Sequence, residues 1–170
     1  DKKFVLLTNA PRPNLTVINT LKLMGLNKFS ETVFTSGEAS LRYILKKFNN
    51  KKFFHLGPPR DFDLFKKFEN NKVNNIDESD YILCSGLFEK HENDLEYYKN
   101  FLSMQISKKM ICTNPDLIVD RGNTREYCAG SIAKLFEEIE GEVIYFGKPY
   151  PPVYELAANI KNKKILCIGD

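Results

Sequence analysis

Hydrophobic and polar positions along the chain predict alternating strands and helices. Short runs of apolar and β-branched residues alternate with stretches in which apolar residues recur every three or four positions. This alternation is typical of βαβ units, in which helices connect parallel strands, so we predict an α/β protein. The predicted strands are Lys3–Leu7, Val33–Thr35, Phe53–Leu56, Tyr81–Cys84, Lys109–Cys112, Glu142–Phe146 and Ile165–Ile168, and the predicted helices are Leu15–Met24, Ala39–Phe48, Asp61–Phe68, Asp94–Met104, Ser131–Ile139 and Tyr154–Ile160.

Three polar residues follow predicted strands directly or nearly so: Thr8, Lys148 and Asp170. The carboxyl ends of parallel strands share one sheet edge, so we expect these side chains to meet at one crevice. A hydroxyl, a cation and a carboxylate suit a phosphate bound with a divalent metal. Spacing alone is explained equally well by a capped helix, a surface lysine and a turn aspartate. The strands expected to be parallel neighbours in one sheet are Lys3–Leu7, Glu142–Phe146 and Ile165–Ile168.

Composition and charge narrow the class of protein. The 170 residues can form one domain or two small ones, and the net charge of +3 is too small to indicate nucleic acid or membrane as a partner. No apolar run approaches the roughly 18 residues that a membrane span needs. The cysteines lack zinc-site spacing, and Cys84, Cys112 and Cys167 lie in apolar runs typical of buried thiols. We therefore expect a reduced, cytoplasmic protein.

Several segments resemble the haloacid dehalogenase (HAD) phosphatase superfamily. GKPYPP at residues 147–152, followed by an apolar strand ending in Gly169-Asp170, resembles its third and fourth motifs, and LLTNAPRP at residues 6–13 resembles its second. TSGEAS at 35–40 and ICTNPD at 111–116 resemble the segment that enters the family's cap and a sequence within it. The third and fourth motifs resemble those of the class IIA branch, which includes NagD, pyridoxal phosphatase and 4-nitrophenyl phosphatase-like proteins. The resemblance covers essentially the whole chain.

The resemblance implies a Rossmann-like HAD core with an inserted α/β cap domain of the C2 type. On this interpretation residues 1–37 form the first part of the core, residues 38–142 the cap, and residues 143–170 a truncated second part of the core. The cap would carry its own small sheet, and a homo-oligomer could form through it.

The resemblance also implies a reaction and its residues. A small phosphorylated metabolite would be hydrolysed through a phosphoaspartate with the help of Mg²⁺. Asn114, Asp116 and Tyr150 would face the leaving group, although an Asx/Pro turn explains Asn114 and Asp116 without any ligand. The implied roles are catalytic for Thr8 and Lys148, substrate-binding for Asn9, Asn114 and Asp116, and metal-binding for Asp170.

The sequence departs from the family pattern at both ends. The first motif, whose two aspartates supply the nucleophile and the general acid/base, is expected to precede Asp1, and a second acidic residue of the fourth motif is expected after Asp170. Asp61-Phe62-Asp63 does not follow an apolar strand. The chain holds about half of the catalytic set, so activity is expected of the full-length protein and not of this fragment.

Two other classes of function stay open. One is a catalytically silent HAD-fold binding or regulatory protein, which the absence of the Asp-x-Asp in the parent would favour. The other is a sugar- or nucleotide-binding α/β enzyme of different chemistry. That class is disfavoured because the sequence contains neither a G-x-G-x-x-G nor a G-x-x-x-x-G-K-S/T pattern.

Overall fold

The computed structural model describes residues 4–28, 32–158 and 164–169. Strands and helices alternate along them, which confirms the predicted α/β class. The strands are β1 Leu6–Thr8, β2 Val33–Thr35, β3 Phe53–Leu56, β4 Lys72–Val73, β5 Tyr81–Cys84, β6 Lys109–Cys112, β7 Ile118–Arg121, β8 Thr124–Tyr127 and β9 Glu142–Tyr145. The α-helices are α1 Asn14–Leu23, α2 Ser36–Lys47, α3 Leu95–Leu102, α4 Ala129–Glu138 and α5 Pro151–Ala158.

Most of the strands form one parallel sheet of five, in the order β4-β3-β5-β6-β9. In its centre Cys84 of β5 is opposite Cys112 of β6, and Cys112 is opposite Tyr145 of β9. The sheet predicted for the middle of the chain contains β3, β5 and β6, but it also includes β9, and a separate cap domain stays a prediction. β1 and β2 form a second, two-stranded parallel sheet, and β7 and β8 form an antiparallel hairpin.

The prediction that three site-bearing strands share one sheet is wrong. β1 pairs with β2 alone among the described residues, whereas β9 pairs with β6 in the five-stranded sheet. Ile165–Ile168 is not a strand, and Ile165 and Ile168 are 51% and 90% exposed. No described strand pairs with this segment, so its apolar side chains stay in solvent, and Cys167 is exposed instead of buried. The domain boundaries stay predictions, but β9, which begins at residue 142, belongs to the five-stranded sheet.

Helices cover both faces of the five-stranded sheet, which explains why its strands are apolar at successive positions. Ile82 and Cys84 of β5 face one buried cluster, and Tyr81 and Leu83 face the other. The first cluster is completed from α3 and α4 by Tyr98, Leu102, Ile132, Ala133 and Phe136, and the second from α2 and α5 by Ala39, Ile44 and Val153.

The predicted Asp61–Phe68 helix is replaced by two 3₁₀-helices, Pro59–Leu64 and Lys66–Asn71. In a 3₁₀-helix residues three apart lie in line, and Asp61 and Leu64 are both buried. The tighter winding thus places a carboxylate and an apolar side chain on the same inward-facing side. None of the helices in the described ranges is long and apolar enough to cross a membrane.

Candidate functional site

Asn9 joins three segments that are far apart in the sequence. Its Nδ2 donates to Asp116 Oδ1 at 2.8 Å and to the Lys148 carbonyl at 3.1 Å, and its Oδ1 accepts from the Lys148 N–H at 2.7 Å. A carboxylate only accepts and a backbone N–H only donates, so these partners fix the orientation of the amide. Asn9 is buried, and its two N–H donors are both used. The structure thus brings three residues of the predicted site into contact.

Thr8 ends β1 directly before Asn9 and is half-buried. Its Oγ1 accepts from the Ala10 N–H at 3.2 Å, which leaves the hydroxyl hydrogen to be donated to a ligand. The Thr8 loop lies against the Lys148 loop through Asn9, not through a shared sheet edge. The predicted role of Thr8 is compatible with this position and stays a prediction.

Lys148 follows β9 in a tight loop. The position before it, Gly147, accepts only glycine. Gly147 has a φ of +131°, and a Cβ there would lie 2.4 Å from Pro115 Cδ and 2.8 Å from Asn9 Oδ1. The backbone of Lys148 is held by Asn9, whereas its side chain is exposed. No ion pair of the Lys148 ammonium occurs within the described part of the chain, so its charge is available to an anion.

Asn114 and Asp116 form the Asx turn that the sequence allowed as an alternative. Asn114 Oδ1 accepts from the Asp116 N–H at 3.0 Å, directly after β6. Both residues also line a cleft of about 290 Å³ at the carboxyl ends of β3, β5 and β6. The turn and a substrate-facing position are therefore compatible. Tyr150, the other candidate for substrate selection, stacks on Tyr145 with ring centroids 4.4 Å apart and does not line this cleft.

Ser85 and Asp61, which line the cleft, belong to a buried polar group that the sequence interpretation missed. His55 Nε2 lies 2.8 Å from Ser85 Oγ, and the Ser85 hydroxyl donates to Asp61 Oδ2 at 2.9 Å. Because Ser85 gives its only hydrogen to Asp61, His55 Nε2 must donate to Ser85 Oγ. A histidine in this state cannot take the proton of Ser85, so the three residues are not a nucleophilic triad. Both Ser85 and His55 lie at strand ends, which is the signal that could have found them.

Burial shifts the pKa values of this group in opposite directions. Desolvation, with a smaller effect of the Lys72 charge, lowers the pKa of His55 to about 4, so the imidazole is neutral at pH 7. Desolvation raises the pKa of Asp61, against the opposing effects of the Ser85 hydrogen bond and of Arg12 and Arg60. Asp61 Oδ1 accepts from Arg12 Nη2 at 3.4 Å, so the network reaches the loop that follows Asn9.

The implied metal site depends on residues beyond those that the structure describes. Asp170 lies outside them, and within them no group of three or more His, Cys, Asp or Glu side chains could hold a metal ion. Asp116, the carboxylate nearest to the Asn9 amide, is hydrogen-bonded to it. We therefore derive no catalytic step through a metal.

Comparisons with known proteins give structural relatives only. No protein-family model and no curated protein sequence matches the chain. A haloacid dehalogenase-like hydrolase from Brucella suis 1330 has a TM-score of 0.80 and 29% identity, over 91% of this chain and 57% of its own. A 4-nitrophenylphosphatase from Thermotoga maritima has a TM-score of 0.67 and 27% identity, over 93% and 60%. A putative NagD protein, at 24% identity and a TM-score of 0.66, shows the same fold.

These structures are longer than the present chain, which spans 57% and 60% of the first two. The agreement extends over more than nine-tenths of this chain in each case. The parallel α/β architecture and these likenesses show that the chain has the fold of haloacid dehalogenase-like proteins, with a 4-nitrophenylphosphatase and a NagD protein as structural relatives.

Proposed function

We propose that the full-length protein is a phosphatase that hydrolyses a phosphomonoester of a small metabolite through a phosphoaspartate, with Mg²⁺ as cofactor. The observation that supports this best is the set of hydrogen bonds from Asn9 to Lys148 and Asp116, because it joins the Thr8 loop, a lysine and a cleft-lining turn. The hydrolase and the 4-nitrophenylphosphatase among the structural relatives support the same chemistry.

The residues of this chain would act by positioning and by neutralising charge, which is most of what phosphoryl transfer requires. The Thr8 hydroxyl would donate to a phosphoryl oxygen. The exposed Lys148 ammonium, carried on a loop whose backbone Asn9 holds, would neutralise negative charge on the phosphoryl group and on the nucleophile. The leaving group would extend into the cleft that Asn114 and Asp116 line.

Mg²⁺ would be held by Asp170 together with carboxylates expected outside this chain. When bound, such an ion neutralises phosphoryl charge. Asp170→Asn should therefore weaken the response of activity to added Mg²⁺, and Asp116→Asn should not, since Asp116 is engaged by Asn9.

Release of inorganic phosphate by the full-length protein tests the proposal directly. We expect turnover of p-nitrophenyl phosphate and of some small monoesters with Mg²⁺ present, and its loss after treatment with EDTA. Absence of Mg²⁺-dependent phosphate release from every monoester tried would reject the phosphatase and favour the catalytically silent HAD-fold protein.

A further inference from the structure

Two arginines lie side by side on the wall of the cleft that Asn114 and Asp116 line. Arg12 Nη2 donates to the backbone carbonyl of Arg60 at 3.3 Å, and both residues line the cleft. The charges of both arginines also oppose the rise in the pKa of the buried Asp61 carboxyl group. Arg12 faces two carboxylates, Asp61 Oδ1 at 3.4 Å and Asp63 Oδ2 at 4.0 Å, so its own charge is balanced and the positive charge of this pair rests on Arg60.

Arg12 is held in place from both ends. Its carbonyl accepts from Thr35 Oγ1, which fixes its backbone next to β2. Its guanidinium contacts Asp61 at 3.4 Å, and Asp61 is itself bonded to Ser85 at 2.9 Å. The Arg12 side chain is still one-third exposed. Because a guanidinium has five N–H donors, some of them can bind a ligand.

Arg60 is exposed, and its side chain has no ion-pair partner within 4.0 Å in the described ranges. The other charges on the cleft are mostly engaged: Arg121 pairs with Glu126 at 3.6 Å, and Asp116 accepts from Asn9. Glu92 is an exposed carboxylate. Of the three arginines that line the cleft, Arg60 is therefore the one without an ion-pair partner in the described ranges, and Arg12 contacts its backbone carbonyl.

We propose that Arg12 and Arg60 bind a second anionic group of the substrate. Resting on the proposed phosphatase function, this makes the substrate a phosphomonoester whose leaving group carries a carboxylate or another phosphate. The planar, forked guanidinium suits both anions, because it can donate two parallel hydrogen bonds to either.

Matched substrate pairs test this on the full-length protein. 3-Phosphoglycerate and glycerol 3-phosphate differ by a carboxylate in place of a hydroxymethyl group, and fructose 1,6-bisphosphate and fructose 6-phosphate differ by a second phosphate. We expect kcat/KM to favour the more anionic member of at least one pair by roughly 10- to 100-fold, the usual effect of hydrogen bonds to a charged group. The pair with the larger ratio identifies the anion.

Arg60→Ala should lower the kcat/KM ratio of the matched pair towards one. Arg60→Lys should restore only part of it, because lysine keeps the charge but lacks the paired N–H donors of the guanidinium. Arg12→Lys should act in the same direction. Lys67→Ala, which removes an exposed charge outside the cleft lining, should leave the ratio unchanged. The ratio should also shrink as ionic strength rises, since salt screens exposed charges.

Failure of this inference is distinguishable from failure of the proposed function. Hydrolysis of p-nitrophenyl phosphate without preference in either pair, or a preference that survives Arg60→Ala, overturns the anion site alone. If neither p-nitrophenyl phosphate nor any other monoester tried is hydrolysed, the phosphatase is rejected, and calorimetric titration of the same four compounds decides the anion site. Equal affinity within both pairs, or affinity ratios unaffected by Arg60→Ala, then overturns it.

Discussion

Asn9 makes hydrogen bonds to residues 107 and 139 positions away, and its neighbour Thr8 supplies the hydroxyl of the proposed site. A polar side chain that is buried must find partners, because an unsatisfied donor or acceptor costs about 1–3 kcal/mol. The requirement to satisfy this one amide therefore helps to hold the Thr8, Asp116 and Lys148 loops together.

Asn9→Asp should destabilise the protein by about 1–3 kcal/mol, since it replaces two donors by an acceptor facing Asp116 Oδ1 and the Lys148 carbonyl. Adding Asp116→Asn should recover part of the loss, because the amide and the carboxylate then exchange places across the same 2.8 Å contact. Chemical denaturation of the two single variants and the double variant measures this. No recovery in the double variant would show that the Asn9–Asp116 bond is not what Asn9→Asp disrupts.

Lys148→Ala in the full-length protein should lower kcat by roughly 10²–10³, the usual effect of losing a group that stabilises transition-state charge. The side chain is exposed, so the melting temperature should not change. Steady-state kinetics with p-nitrophenyl phosphate measures the loss. Lys134→Ala, at an exposed position of α4, is the matched control and should retain full activity; equal kcat in the two variants would remove Lys148 from the site.

Among the secondary-structure elements, the loop after β6 is enclosed by two neighbours that approach it through glycine. Gly147, after β9, lies against Pro115 and Asn9. Gly130, near the start of α4, lies against the backbone of Pro115 and Asp116, where a Cβ would be 2.2 Å from the Pro115 carbonyl oxygen. The loop that carries the predicted substrate-side residues is thus positioned by the close approach of other elements.

Gly130→Ala should therefore destabilise the protein by about 1–3 kcal/mol, the usual cost of overpacking. In a helix with free space at the glycine, the same change stabilises the protein by roughly 0.5–1 kcal/mol. The sign of the change in unfolding free energy therefore shows whether position 130 is sterically blocked. Thermal and chemical unfolding measure the change. Gly169→Ala is the control, because a Cβ there meets nothing within 4 Å. A Gly130→Ala protein as stable as wild type would show that residues 115–116 can move away without cost.

Over the whole molecule, helices on both faces bury the five-stranded sheet. Polar side chains near the ends of its strands therefore lie at the edge of the buried core. His55 ends up next to Ser85 in this way and is only 7% exposed. Its pKa, lowered to about 4 by desolvation, links this buried position to global stability.

Between about pH 6.5 and pH 4 the unfolded chain protonates His55 and the folded protein does not. The free energy of unfolding should therefore fall as the pH drops through this window, by up to about 3 kcal/mol from this residue. In His55→Gln, whose amide can still donate to Ser85 but does not titrate, that part of the pH dependence should vanish. Unfolding curves across the window, compared between wild type and variant, measure the difference.

His91→Gln is the control for that experiment, since His91 lies outside both buried clusters. Identical pH profiles for wild type and His55→Gln would contradict the lowered pKa of His55.

Local sequence patterns were sufficient for four of the strands and pointed to candidate site residues. β2, β3, β5 and β6 begin and end where the apolar runs do, because a strand covered on both faces needs apolar side chains at successive positions. Thr8 and Lys148 were predicted as site residues because polar residues that follow apolar strands mark a ligand-binding edge, and Asn9 was predicted from the family resemblance. The order of these segments along the chain also carried the family resemblance, which the structural relatives support.

Only the tertiary structure decided which strands pair and which side chains meet. Hydrogen bonding between strands is non-local, so nothing in the Glu142–Phe146 segment reveals that β9 joins β6 instead of β1. The apolar run at Ile165–Ile168 predicts a strand, but a strand needs a partner, and no described strand provides one. Likewise Arg12, Arg60 and the Asp61–Ser85–His55 group stand near ordinary turns in the sequence and become one charged wall only when the sheet ends and the Thr8 loop pack together.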